Sequence, residues 1–339
     1  MLTKHSLTGA SLAAIVATGL AACNGEFRHP DTSGHEISLS VKPFYKDLMH
    51  GGPISADSLA ANLERKYGGY FDTFCAGELR IGLPGDPGFS AELERFLSAE
   101  ENDEVMAACD SVYDRLDADG DISDAFSCFA ALFPSKPVPA DVYCHFSGFN
   151  DRMFVDSTYI SFGIEHYLGP KCRFYEWLQI PVYARQTRDL NWLVSDLVKA
   201  WIYSTMPETS GKDDVLTALI YQGKTLYATR RCIPDIDEPT LLGMTKEQVE
   251  WCKANEARMW AYLAEHKLLY STSMQDKCKI VNEGPFTSYF GNKSPGRAAT
   301  YCAYNIVRGY VKNHPDVSLG QLMEMPDAQE VLQGSRYNP

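Results

Sequence analysis

The runs DVYCHFSGF, residues 141–149, and DSTYISFGI, residues 156–164, decide the fold class. Both are rich in β-branched and aromatic residues, and a short polar stretch separates them. Together they predict a β-hairpin and with it a small sheet. An earlier run, EISLSVKPF at residues 36–44, alternates apolar and polar side chains and predicts a further strand. Most of the remaining chain carries helical spacing. Residues 59–67 and 89–116 do so ahead of the hairpin. Behind it, Leu190, Leu193, Val194, Leu197, Val198, Trp201 and Ile202 recur at i, i+3, i+4 and i+7, one apolar stripe with Ser195 and Lys199 off it. Val215, Leu216, Leu219, Ile220, Leu226 and Tyr227 draw a second stripe bordered by Gln222. Thr245 with Gln248 has capping-box spacing and starts a third helix that turns Val249, Cys252, Trp260 and Leu263 inward. A fourth spans residues 298–312. One strand region among helices, with no strong linker after Gly34, reads as α+β: a predominantly helical single domain with a small β-sheet.

The 339 residues are 45% apolar and 22% charged, enough for a sizeable core. Against 44 acidic residues stand 31 basic ones, and the net charge of −13 would repel phosphate backbones, so no nucleic-acid partner is expected. The one long uncharged apolar run, residues 7–22, is too short to span a bilayer comfortably and lies where an export signal belongs. Lys4 precedes it, and Leu20, Ala21 and Ala22 lead into Cys23, the LAAC form of a lipobox. Residues 1–22 therefore read as a lipoprotein signal peptide and Cys23 as the lipidation site. Residues 23–34 are polar, with Pro and Gly, and read as the lipid-anchored tether of a body formed by residues 35–339. Asn24, rather than Asp, behind the cysteine predicts sorting to the outer membrane. The membrane is thus one expected partner, held through acyl chains. Nine further cysteines are scattered without a CxxC, as core residues would be, which gives no support to a thiol redox site or zinc knuckle.

Candidate chemistry is sparse. The segment DADGDIS, residues 117–123, has the alternate aspartates of a calcium loop, but Ile122 stands where an EF-hand needs Gly and Cys128 where it needs a bidentate Glu. A solvated turn starting a helix is the better reading. Glu165 and His166 are adjacent, which on a regular helix or strand sends them different ways. His145 sits in an apolar strand run, where a histidine is usually a hydrogen-bonded packing residue. Ser147 lacks the GxSxG elbow, and GxGxxG, the P-loop and HExxH are all absent. No cofactor or metal is expected.

Several blocks occur in order: ISLSVKPF; FPSKPVPADVY with FSGF; ISFGIEHYLGP with FYEW; PVYARQTR; LIYQGKTLY; MTKEQVEWCKANEARMWAYLAEHKLLYST; GPFTSYFGNKSPGRA; YNIVRGYV; and DAQEVLQGSRY. On these, residues 35–339 resemble the GldB family of gliding-motility lipoproteins of Bacteroidetes, itself related to zincin-like metallopeptidases. The resemblance implies a zincin-like fold and a role beside gliding or type IX secretion-machinery proteins. In the peptidase relatives, HExxH would fall on the helix that here carries Ser195, Asp196 and Lys199, with an acidic third ligand near Gln222. Serine and glutamine are poor zinc ligands and a lysine ammonium repels the cation, so the positions are degenerate and the chain is expected not to be an enzyme. The rivals are a hydrolase that draws ligands from Glu165, His166, His145 or Asp196, and a surface glycan- or peptide-binding lipoprotein.

Overall fold

In the computed structural model, which describes residues 27–52 and 54–339, four strands form one sheet. They are β1 (Val41–Lys42), β2 (Asp141–His145), β3 (Met153–Val155) and β4 (Tyr159–Gly163), in the order β1-β2-β4-β3. The signal peptide and Cys23 lie outside the described residues. Between β1 and β2 come α1 (Phe44–Met49), α2 (Ala56–Tyr67), α3 (Gly69–Thr73), α4 (Phe89–Leu97), α5 (Glu100–Tyr113) and α6 (Asp119–Leu132). After β4 follow the short helices α7 (Arg173–Trp177) and α8 (Val182–Arg185), then α9 (Leu193–Thr205) and α10 (Val215–Cys232). The chain ends with α11 (Glu238–Leu242), α12 (Lys246–Glu265), α13 (Met274–Val281), α14 (Ala299–Asn313), α15 (Leu319–Glu324) and α16 (Ala328–Ser335). With 58% helix and one small sheet, the protein is of α+β class.

The expected hairpin is not formed by the two runs that suggested it. β2 and β4 pair in parallel, Val142 opposite Ile160 and Cys144 opposite Phe162, and the antiparallel partner of β4 is the short β3. Both faces of the two central strands carry apolar side chains, which explains the difference. Val142, Cys144, Ile160 and Phe162 face a core shared with Val105, Phe126, Leu197 and Trp201. Tyr143 and Tyr159 face a second core with Phe44, Tyr70 and Phe74. Burial on both sides is the environment of parallel strands flanked by helices, not of a half-exposed hairpin.

The predicted strand at residues 36–44 joins the sheet for only two residues, because its earlier part pairs with a helix instead. The backbone N–H groups of Ile37, Leu39 and Val41 donate to Ser127 Oγ at 2.8 Å, Ser123 Oγ at 3.0 Å and Asp119 Oδ1 at 2.9 Å. Two strand residues advance ~6.6 Å and four helical residues ~6.0 Å, so every second amide of an extended chain meets every fourth side chain of α6. Asp119, the centre of the calcium-like segment, is thereby a strand-holding residue at the start of a helix.

The helical stripes fall where their spacing put them, with two refinements. Residues 89–116 divide into α4 and α5, and on α12 it is Met259 that is fully enclosed, whereas Trp260 is partly buried against Tyr337. The Thr245–Gln248 capping box is formed. A third core lies in the C-terminal half, where α10 packs on α14, and α14 on α16. Of the nine described cysteines beyond Cys23, all are free and seven are buried, as core residues.

Candidate functional site

The densest buried polar chemistry lies where β2 and β4 end. On that face of the ladder His145 stands opposite Gly163. His145 Nδ1 is 2.7 Å from Ser161 Oγ, which also meets the Tyr70 hydroxyl at 2.9 Å. After β4 the chain makes a single 3-10 turn over Ile164–Tyr167, and this tight turn, not a helix or strand, carries Glu165 and His166. The two side chains therefore do not diverge as regular structure would send them. A Cβ built on Gly163 would lie 2.9 Å from His166 Cδ2, 3.0 Å from Glu165 Oε2 and 3.1 Å from His145 Nε2. Glycine is what lets these three side chains close on the strand.

Each member of the cluster is held on one side and open on the other. Glu165 Oε1 accepts from the backbone N–H groups of Ser147 (2.8 Å) and Phe149 (3.2 Å) and from Ser147 Oγ (3.0 Å). Glu165 Oε2, His145 Nε2 and His166 Nε2 have no hydrogen-bond partner. Burial raises the Glu165 carboxyl above its ordinary range in spite of those donors. Burial likewise lowers His145 to about 3. His166 falls to about 2 through burial, with the Arg188 guanidinium adding to it. Arg188 donates to His166 Nδ1, which puts the proton of the neutral ring on Nε2. Glu78 also rises to about 7, through burial and the nearby Asp151 charge.

Arg152 links this cluster to α9. It donates to the Thr187 carbonyl oxygen at 2.7 Å, beside Arg188, and forms an ion pair with Asp196. Tyr167 Oη donates to the same Asp196 oxygen at 3.0 Å. Of the positions singled out on α9, Ser195 is buried with its Oγ unpartnered, although it lies off the apolar stripe. Lys199 is lowered to about 8 by burial, with Arg297 and Arg152 nearby and only Asp196 and Glu283 opposing. Gln222 is engaged elsewhere, its Nε2 3.4 Å from the Val281 carbonyl oxygen. The zinc ion implied by the peptidase resemblance does not fit these residues. An enclosed hydroxyl, an arginine-bound carboxylate, an ammonium and an amide are not a zinc ligand set. Among the described residues, no three His, Cys, Asp or Glu side chains are placed to hold a metal ion.

Sequence reasoning named Glu165, His166, His145 and Asp196 as one candidate set but missed the residues that join them. Arg152, Tyr167 and Arg188 have no mutual spacing that marks them. Gly163, a glycine inside an apolar strand run, was the available signal.

The family model described as Gliding motility protein GldB matches residues 26–339. The chain belongs to the GldB family. The match spans both the sheet and the helical half, and with them every residue of the buried cluster. GldB proteins are gliding motility-associated lipoproteins, which places this one at the cell envelope among motility components. No curated protein and no solved structure matches the chain. Among the described residues no helix is long and apolar enough to cross a membrane.

Proposed function

We propose that the protein is a lipid-anchored outer-membrane lipoprotein, acylated on Cys23, that supports the gliding or type IX secretion apparatus through protein contacts and not through catalysis. Residues 1–22 are its signal peptide, 23–34 its tether and 35–339 its GldB-like body. The body is a zincin-like framework that has lost its metal. Its α9 and α10 pack on one another, as a metal helix and the helix bearing a third ligand must, and α9 also lies on β3 and β4. The observation that carries the non-enzymatic reading is the engagement of Asp196. Its carboxylate is taken up by Arg152 and Tyr167, and the neighbouring Ser195 is enclosed, so the helix presents internal ties where a peptidase presents ligands.

Crosslinking of the tagged lipoprotein in its own membranes, followed by identification of the captured chains, tests the role. Motor or secretion components are expected; bound oligosaccharide with no such components would favour a glycan-binding lipoprotein. One observation favours a hydrolase as second reading: Glu165 Oε2 and His145 Nε2, both unpartnered, meet beside Gly163 with His166. Plasma mass spectrometry on protein purified without chelator separates the two. We expect no stoichiometric zinc and no peptide hydrolysis. About one zinc per chain, lost with activity in His166→Ala or Asp196→Ala, would promote the hydrolase.

A further inference from the structure

The polar stretch at residues 23–34 reads as a tether, yet from Phe27 onward the chain is laid on the body. The Phe27 ring packs on Tyr227 with ring centroids 5.9 Å apart, and the guanidiniums of Arg230 and Arg308 lie 4.8 Å and 5.6 Å from its centre. It is packed against the third core. A ring with two cations inside ~6 Å is held by its electron-rich faces as well as by apolar area. Both guanidiniums are themselves positioned: Arg230 donates to the Ile236 carbonyl oxygen, and Arg308 Nη1 to Asn305 Oδ1 at 3.4 Å. His29 meets Asp235 at 3.0 Å, a contact too exposed to add much. Farther on, the amides of Ile37, Leu39 and Val41 are pinned along α6.

Length then decides where the anchor leaves the body. A tether running free from Cys23 to Gly34 would span up to about 40 Å, enough for any face of the body to turn toward the membrane. With Phe27 seated, only four residue steps separate Cys23 from the body, a reach of at most about 14 Å. A body of this length is roughly 50 Å across, so a reach of ~14 Å selects the end on which Phe27 sits. That end is the last part of α10, where Tyr227 and Arg230 lie, with Asp235 just beyond it. The start of the same helix, at Val215, is twelve residues before Tyr227, about 18 Å along its axis. Arg28, the first basic residue behind Cys23, is exposed and forms no ion pair among the described residues, which leaves its guanidinium for headgroup phosphate.

We propose that Phe27 is a latch that orients the lipoprotein: it ties the lipidated N-terminus to the end of α10, so that the end of the body bearing Phe27, Arg230 and Asp235 faces the headgroup layer. The proposal rests on the lipid-anchor reading and adds a direction to it. Acyl chains on a free tether leave the body to rotate above the membrane, whereas a latched strap keeps one end apposed to the bilayer and turns the rest toward protein partners.

The test uses the acylated protein in phosphatidylethanolamine–phosphatidylglycerol vesicles whose headgroups carry, or lack, a nitroxide that quenches fluorescence at short range. A coumarin amino acid replaces Asp235 in one preparation and Lys212, before the start of α10, in another; both side chains are exposed. Nitroxide headgroups should quench the label at 235 at least about twofold more than the label at 212, as the short reach requires. Phe27→Ala should bring the two positions to the same value with circular dichroism unchanged, and Phe27→Tyr, which keeps the ring, should keep the difference. Equal quenching at the two positions without a change at residue 27 overturns the proposal. So does a difference that survives Phe27→Ala. Intact mass reports on the anchor separately: an acylated chain with equal quenching sinks the latch alone, whereas a chain without an acyl group fails the lipid-anchor reading and takes this proposal with it.

Discussion

Gly163 faces His145 across the β2–β4 ladder, and the space of its missing side chain is filled by two imidazoles and a carboxyl. Those three groups are buried and tied by Ser161, Arg188 and the amides of Ser147 and Phe149, so they cannot swing aside. Gly163→Ala should therefore cost ~1–3 kcal/mol, as overpacking does, and lower Tm by several degrees in a thermal melt. An unchanged Tm would show that the cluster is loose. The same burial sets a pH dependence. His145, lowered to about 3 from an ordinary 6.5, stays neutral when folded but takes a proton in the unfolded chain below about 6.5. Its contribution is full above that pH and is lost as pH falls toward 3. Glu165 works in the opposite sense. Its raised carboxyl keeps a proton that the unfolded chain releases above 4.5, a contribution present at low pH and lost as pH rises. Comparing wild type with His145→Asn removes the Glu165 part. The stability difference between them should shrink by ~1.4 kcal/mol per pH unit between about pH 6 and pH 4 in denaturant titrations. Parallel profiles would mean that His145 protonates in the fold.

At the scale of elements, the pairing of an extended segment with the side of a helix is the least ordinary feature. The amides of Ile37 and Leu39 have Ser127 and Ser123 as acceptors, and removing either hydroxyl leaves a partly buried N–H unpaired. Ser123→Ala and Ser127→Ala should each cost ~1–2 kcal/mol, and the double variant should speed hydrogen exchange at Ile37 and Leu39 selectively. Exchange as slow as in wild type would show that another acceptor is available. This pairing marks a limit of sequence reading. The alternation in EISLSVKPF reported an extended chain correctly, but an extended chain can take its hydrogen bonds from a helix as well as from a strand, and alternation is blind to the difference. The hairpin expectation failed for a related reason. Period-2 patterning shows that residues 141–149 and 156–164 are strands, whereas direction depends on what covers the two faces, here Tyr70 and Phe74 on one side and Trp201 and Phe126 on the other. The helices were legible because one apolar stripe is a local signal. At the site, His145 was legible as a residue type in an unusual place, and Asp196 only through the family resemblance. The guanidinium of Arg152 that connects β3's neighbourhood to α9 was not, since its partner lies 44 positions away.

For the whole molecule the ruling quantity is charge. Removal of the proposed signal would take Lys4 and leave 30 basic against 44 acidic residues, a net charge of −14. Such a body is repelled by anionic lipid. Among the described residues no helix could cross the bilayer instead. In the proposed reading the acyl chains on Cys23 hold the body at the membrane, and stable anchoring takes about two of them, which a thioether-linked diacylglyceryl supplies. Cys23→Ser should therefore incorporate no labelled palmitate and lose its membrane anchorage. Wild type should resist high-salt and carbonate washes and leave the membrane only with detergent. Salt release of wild type would mean that charge holds the protein after all, and equal palmitate in both forms would place the lipid elsewhere. Because the three cores are built on buried side chains from Leu39 to Val331 of the body, a purified Cys23→Ser chain should melt at the wild-type temperature. Anchorage and fold would then be separable, and any loss of gliding in that variant would be assigned to position at the membrane and not to unfolding.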